Sequence, residues 1–220
     1  MISKRDIEIE IKCIERQYNF TEGYHLLYSP WDTLDFAEIV FISLNPGRNR
    51  IGQEQRILSD ERGNSFEVER FKTVSPLTDQ FLKLAAFLSV TPKDILTGTA
   101  HPFRSNRWSD FSREQRLVGL DFGKRFWSRI LNNKRKLVIT LGDQATRIIT
   151  SNTDAQIEQE INSGWGAIKL RRYSTSLGFP IVQLPHLSTF RIFSRKESEA
   201  ALTYVFGTNF SAVVPTRIVD

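Results

Sequence analysis

Phe41-Ile42-Ser43-Leu44-Asn45-Pro46-Gly47-Arg48-Asn49-Arg50 is the stretch on which the reading of the fold turns. Upstream, Ala37 to Phe41 is apolar except for Glu38, the pattern of a buried strand. Asn-Pro-Gly then favours a sharp turn and cannot continue a central strand. Asn45 therefore falls at the C-terminal end of a strand, where open α/β sheets bind their ligands. Arg48 and Arg50 follow. Either an anionic ligand is met there, or the turn is structural and its arginines are solvated.

A second stretch has the same form. Pro180-Ile181-Val182-Gln183-Leu184-Pro185 reads as a short buried strand that delivers His186-Leu187-Ser188-Thr189-Phe190-Arg191. An Asn-Pro-Gly turn after an early strand and a His-x-Ser turn after a late one resemble the two motifs of the uracil-DNA glycosylase superfamily. Leu44-Asn45-Pro46-Gly47 is similar to the first motif of its mismatch-specific and single-strand-selective branches. His186-Leu187-Ser188 is similar to the second, with Leu187 where proline is usual. Leu137-Val138-Ile139-Thr140-Leu141-Gly142-Asp143-Gln144-Ala145 between them is similar to the superfamily's third strand and following helix. The resemblance spans roughly residues 37 to 191, and its weight lies in the order and spacing of short motifs.

The chain has 220 residues, with 40% hydrophobic and 25% charged, which suits one soluble domain over residues 1–220. No run approaches the roughly 18 apolar residues of a membrane span. Met1 to Asp6 lacks the apolar core of a signal peptide, so a cytoplasmic protein is the expectation; separately, a monomer is expected. Net charge is +5 and the pI about 9.4, with 20 Arg against 10 Lys. Arginine offers a planar fork that suits phosphate. A basic balance is compatible with nucleic acid, and equally with solvated charge. The single cysteine, Cys13, reads as a small core residue of a first helix. One cysteine excludes an intrachain disulfide and a cluster ligated by four cysteines of this chain, and so close kinship with the iron–sulfur glycosylase branches. Three widely spaced histidines, His25, His101 and His186, do not suggest zinc, and no metal or cofactor is expected.

In chain order, residues 4 to 17 form a helix with Ile7, Ile11 and Ile14 on one face. Tyr24 to Trp31 reads as an aromatic loop. Ile51 to Ser75 reads as a long polar loop, and such loops are commonly functional or mobile. The resemblance makes it a wall of the base pocket, with Phe66 and Phe71 as candidates to stack on a flipped base; the other reading of each is core burial. Ser75-Pro76 opens a helix with Phe81, Leu84, Ala85 and Leu88 on its inner face. Thr91 to Asp94 fits a capping box before a second strand, Ile95 to Thr97. In several glycosylase branches that strand ends in an asparagine that reads the pyrimidine edge. Here Gly98 stands there, or Thr99 if the register moves by one, and neither has an amide. His101 is the nearest polar side chain, to be read as a base contact or as a loop residue with a local hydrogen bond. Arg104-Ser105-Asn106-Arg107-Trp108 is basic and aromatic, able to follow a nucleic acid backbone or merely to anchor a loop. Ser112 to Gln115 is a second capping box, opening a helix to about residue 132. A third strand, Val138 to Leu141, precedes a helix capped by Asp143. Ile157 to Ile161 suggests a short helix and Ala167 to Tyr173 an added strand. Arg195 to Phe206 forms the last helix, and residues 213–220 read as a loose tail. The alternation predicts an α/β domain, a three-layer α/β/α arrangement around a mostly parallel four-stranded sheet.

The resemblance implies a DNA base glycosylase, with single- or double-stranded DNA as partner. Asn45 would position water through its side-chain carbonyl, and His186 would donate to the leaving base's carbonyl oxygen. Leu44, Pro46, Gly47, Phe66, Phe71, Gly98, Thr99 and His101 would line the base pocket. Arg48, Arg50, Arg104 and Arg107, with Ser188, Thr189, Phe190 and Arg191 of the second motif, would grip DNA and fill the gap left by the flipped base. Two other readings stay open. One is a catalytically silent nucleic-acid or nucleotide-binding protein on the same fold. The other is an unrelated doubly wound enzyme, for which the sequence offers neither a glycine-rich phosphate fingerprint nor a nucleophile elbow.

Overall fold

The computed structural model describes residues 2–48, 55–72, 74–132 and 134–207, so Arg50 and the tail 213–220 lie outside the described residues. Four strands make the parallel centre of the sheet: β2 (Ile39–Ser43), β4 (Ile95–Thr99), β5 (Leu137–Leu141) and β8 (Ile181–Leu184). They stand in the order β4-β2-β5-β8, with Phe41 level with Thr97 and Ile139, and Ile139 level with Val182. Every residue of these strands is buried, as expected of strands covered on both faces.

The sheet is larger than four strands, and mixed. β1 (Tyr24–Leu27) pairs antiparallel with β4, and β3 (Arg56–Ser59) runs parallel to β1 at the outer edge. At the other edge β7 (Lys169–Ser174) pairs antiparallel with β8, and β6 (Gln156–Asn162) with β7. Among the described residues the order is β3-β1-β4-β2-β5-β8-β7-β6. Three sequence expectations fail here. The aromatic loop contains β1, the described part of the polar loop contains β3 and a short helix, and the expected helix around Ile157 is β6. β6 is held by cross-strand ion pairs, Glu160 to Lys169 and Arg171 and Glu158 to Arg172, which stabilise a two-stranded edge.

The helices are α1 (Lys4–Gln17), α2 (Thr33–Phe36), α3 (Ser65–Glu69), α4 (Pro76–Phe87), α5 (Arg113–Ile130), α6 (Gly142–Thr150) and α7 (Glu199–Phe206). Ser3, Ser75 and Ser112 cap α1, α4 and α5 through their hydroxyls, and Ser112 and Gln115 complete a reciprocal capping box. Thr91 makes no such cap; it precedes a single 3-10 turn. α6 begins at Gly142, one residue before the expected cap, and the Asp143 carboxylate instead accepts from Gln183 Nε2 at 2.5 Å.

Successive strand residues point to opposite faces, and the burial follows this period. Val40, Ile42, Leu96, Val138 and Ile181 join α1, α5 and α6 in one core. Phe41, Ile95, Ile139, Val182 and Leu184 join α4 and α7 in a second. On α1 the inner face is Ile7, Ile11 and Ile14, and Cys13 is exposed rather than part of the core. Trp127 of α5 is fully buried and donates from Nε1 to the Thr99 carbonyl at 2.8 Å, which ties α5 to the end of β4. No helix among the described residues is long and apolar enough to cross a membrane.

Candidate active site

The turn that follows β2 is built by its neighbours. Ser43 and Leu44 carbonyls accept from the Ala100 and His101 amides, each at 2.8 Å, so the chain beyond β2 stays paired to the chain beyond β4. Ser105 N–H reaches the Pro46 carbonyl at 3.3 Å. Leu44 packs against the core that holds Val40 and Ile42. Asn45 shares the parity of Ile39 and Phe41, which belong to the other core. Its Nδ2 donates to the Pro46 carbonyl at 3.0 Å, which leaves Oδ1, an acceptor, as the other polar atom of the amide. Asn45 is half-buried, Pro46 buried and Gly47 exposed.

His186 follows β8, and β8 runs parallel to β2 with only β5 between them. Asn45 and His186 thus leave the same edge of the sheet, two strand spacings or roughly 10 Å apart along it. His186 shares the parity of Val182 and Leu184, whose core is also that of Phe41. Its Nδ1 lies 2.7 Å from Ser188 Oγ, and its carbonyl accepts from the Thr189 and Phe190 amides at 3.0 Å. The His186 side chain is exposed at the surface, and the desolvation it retains holds its pKa below the ordinary histidine value of 6.5, which favours neutral imidazole at pH 7. Leu187, where the resembling motif has proline, is fully buried in the core and anchors the turn.

The other expected pocket residues are differently used. Gly98 faces α5: a Cβ there would lie 2.8 Å from the Leu26 carbonyl oxygen and 2.9 Å from the Trp127 ring. The missing side chain is therefore a packing requirement. Thr99 donates from Oγ1 to the His25 carbonyl at 3.0 Å, a bond within the sheet. His101 is fully buried among Phe20, Phe103, Trp108 and Phe111, with Nε2 at 3.2 Å from the Gln115 carbonyl. Burial pushes its pKa down to about 4, and the histidine serves the packing of α5 on the loop. Phe66 is a core residue, 5% exposed, stacked on Tyr28 and edge-on to Phe41. Phe71 is 76% exposed, with the Arg70 guanidinium over its ring.

The expected DNA-facing residues divide likewise. Arg48 and Arg107 are exposed, and Arg48 pairs with Glu22 at 3.3 Å. Arg104 is buried and donates to the Gln55 and Gly47 carbonyls and to His25 Nδ1, each at 3.2 Å. It braces the Asn-Pro-Gly turn against β1 instead of standing on an open rim. Ser188 is half-buried, Thr189 and Arg191 exposed. Phe190 does not project as a wedge: its ring packs edge-on against Trp165.

Sequence reasoning missed His25 and Tyr28, because β1, which contains His25 and precedes Tyr28, reads as a loop. Arg104 has only N–H donors, so His25 Nδ1 accepts and the ring proton sits on Nε2. That N–H is buried and has no hydrogen-bond partner among the described residues. Burial, then the Arg104 charge, push the His25 pKa down to about 3. Tyr28 lies between the rings of His25 and Phe66, and burial pushes its phenol up to about 12. Comparison with protein-family models and with curated protein sequences finds no match.

Proposed function

We propose that the chain is a monofunctional DNA base glycosylase that hydrolyses the N-glycosidic bond of a damaged or deaminated base, uracil or a related one, flipped into a site between Asn45 and His186. The observation that carries this reading is their common position: β2 and β8 run parallel with β5 between them, and Asn45 and His186 each lie two residues past the end of their strand at the same edge of the sheet. Helices on both faces of the parallel strands support the three-layer arrangement the resemblance implies. In the reaction, the sugar develops oxocarbenium character as the base departs with negative charge. Asn45 Oδ1 accepts from a water and aligns it with C1′. The bond from C1′ to the base nitrogen breaks, water oxygen bonds to C1′, and a water proton is released. His186 Nε2–H donates to the base carbonyl as charge builds there, and one such donor is worth about 2.7–4 kcal/mol. The Ser188 hydroxyl, 2.7 Å from Nδ1, supports this tautomer by donating to that nitrogen. The test is release of free base from single- and double-stranded oligonucleotides carrying uracil, hypoxanthine, xanthine or mismatched thymine. Release from one member identifies the base, and release from none sinks the enzyme reading.

A pH profile follows from the same roles. The His186 pKa is lowered below 6.5 by desolvation, so the neutral donor predominates at pH 7 and above and is lost on acidification. The single-turnover rate should be level from about pH 8 to 7 and fall on further acidification, as Nδ1 becomes protonated and loses its bond to Ser188. His25 and His101, lowered to about 3 and about 4, do not titrate in the window. A rate that rises on acidification toward pH 6 would contradict the neutral-donor role.

A silent nucleic-acid-binding protein is the second reading. It is favoured by the end of β4, where Gly98 is filled by packing and Thr99 is bonded to β1, so neither reads a base edge.

A further inference from the structure

Beside the Asn-Pro-Gly turn lies a cleft of about 270 Å³ in which Arg104 and Ser105 meet Arg48, Asn106, Glu22 and Asp110. Arg104 is 8% exposed, and its charge is out of proportion to its surroundings. Its three partners, the Gln55 and Gly47 carbonyls and His25 Nδ1, are all neutral. No carboxylate among the described residues lies within ion-pair distance of it; Glu54, next in sequence to Gln55, is outside them. A buried charge without a counter-charge is costly, and native proteins pair such groups or use them. Three of the five guanidinium N–H groups are engaged, and the other two have no partner among the described residues. Among the described residues Arg48, at the opening, is held by an exposed pair with Glu22 at 3.3 Å. Exposed pairs of that kind contribute little, so a better anion displaces them readily.

We propose that this cleft is a phosphate site, with Arg104 as its buried cation and Arg48 as its movable one, and that it seats a phosphodiester of the strand carrying the flipped base. The assignment of the strand rests on the glycosylase reading; the anion chemistry does not. Position supports it, because Arg104 Nη1 donates to the Gly47 carbonyl and Ser105 N–H to the Pro46 carbonyl. A phosphate held here is therefore fixed relative to the turn that presents Asn45. Glu22 and Asp110 bring negative charge to the same cleft. Asp110 accepts from the Arg107 amide at 3.0 Å and keeps its charge, while Glu22, paired with Arg48, is the carboxylate that a phosphate must displace from a cation.

The test measures oligonucleotide affinity against salt, alongside displacement by inorganic phosphate and by a 5′-mononucleotide. Each phosphate contact contributes about one to the slope of log affinity against log salt. Arg48→Ala, on an exposed side chain, should lower that slope by about one and weaken competition by inorganic phosphate. Arg104→Gln should do the same where circular dichroism shows it folded. Glu22→Gln should tighten phosphate binding. Unchanged slopes in both arginine variants, or weaker phosphate binding in Glu22→Gln, would overturn the site. Displacement of the oligonucleotide only by the mononucleotide, with a flat salt slope, would overturn its assignment to a DNA strand. Base release is assayed in parallel: release with unchanged slopes removes this site and leaves the glycosylase standing, whereas lost slopes without release from the unmutated protein do the reverse.

Discussion

His186→Ala should slow base release by about 10²- to 10³-fold while oligonucleotide affinity stays nearly constant. The imidazole meets negative charge that exists only as the base departs, and an interaction made only in the transition state raises the rate without tightening substrate binding. Asn45→Ala should slow release by about 10²-fold, the scale of losing alignment of one reactant. It should also leave binding intact, since the Asn45 amide nitrogen is occupied by the neighbouring Pro46 carbonyl and not free to hold DNA. Single-turnover rates and fluorescence anisotropy separate the two effects. Ser188→Ala should be milder than His186→Ala, because it removes only the partner of Nδ1. A His186→Ala variant that no longer binds, with an unchanged single-turnover rate, would favour the silent binding protein.

Gly123→Ala should destabilise the protein by about 1–3 kcal/mol, the scale of overpacking in a tight core. The sign is the informative part. Glycine inside a helix ordinarily costs about 1 kcal/mol relative to alanine, so propensity alone predicts a gain. In α5, however, a Cβ at Gly123 would lie 1.7 Å from the Ala100 carbonyl oxygen, a backbone atom that cannot swing aside. Ala100 is also the residue whose amide holds the Ser43 carbonyl at the end of β2. Separating α5 from it strains the strand ends that carry the site. For a domain of this size each kcal/mol lowers Tm by about 2–4 °C. A Tm above that of the unmutated protein would contradict the seating of α5 on the end of β4.

The parts of the fold legible in the sequence are those where one local signal was unopposed. The four parallel strands are short apolar runs closed by turns, and the Ser75 and Ser112 caps stand before strong helical periodicity. β6 was misread because Gln156–Asn162 places Ile157 and Ile161 four apart among Glu and Gln, a helical pattern. Tertiary context overrides it: β7 supplies Lys169, Arg171 and Arg172 opposite its acids, and Ile157 remains 58% exposed. β1 was missed because four residues with a histidine among them carry too little alternation to declare a strand. That miss hid His25 and Tyr28, and with them the neutral partner that leaves Arg104 without a counter-charge. In the candidate site, Asn45 and His186 were legible because strand ends are marked by proline and glycine. The roles of Gly98, His101 and Phe66 were not, because each is decided by what packs against it from α5, the 101–111 loop or α4.

The central claim is that Asn45 and His186 act on one base, and product analysis tests it most directly. The unmutated protein is incubated in excess over each oligonucleotide of the panel, and free base and strand are both quantified by mass spectrometry. The account predicts, for at least one substrate, free base and an unbroken abasic strand in equal amounts, with release strongly reduced in both His186→Ala and Asn45→Ala. Strands recovered unaltered from every substrate, or base release that survives both substitutions at the unmutated rate, would contradict it.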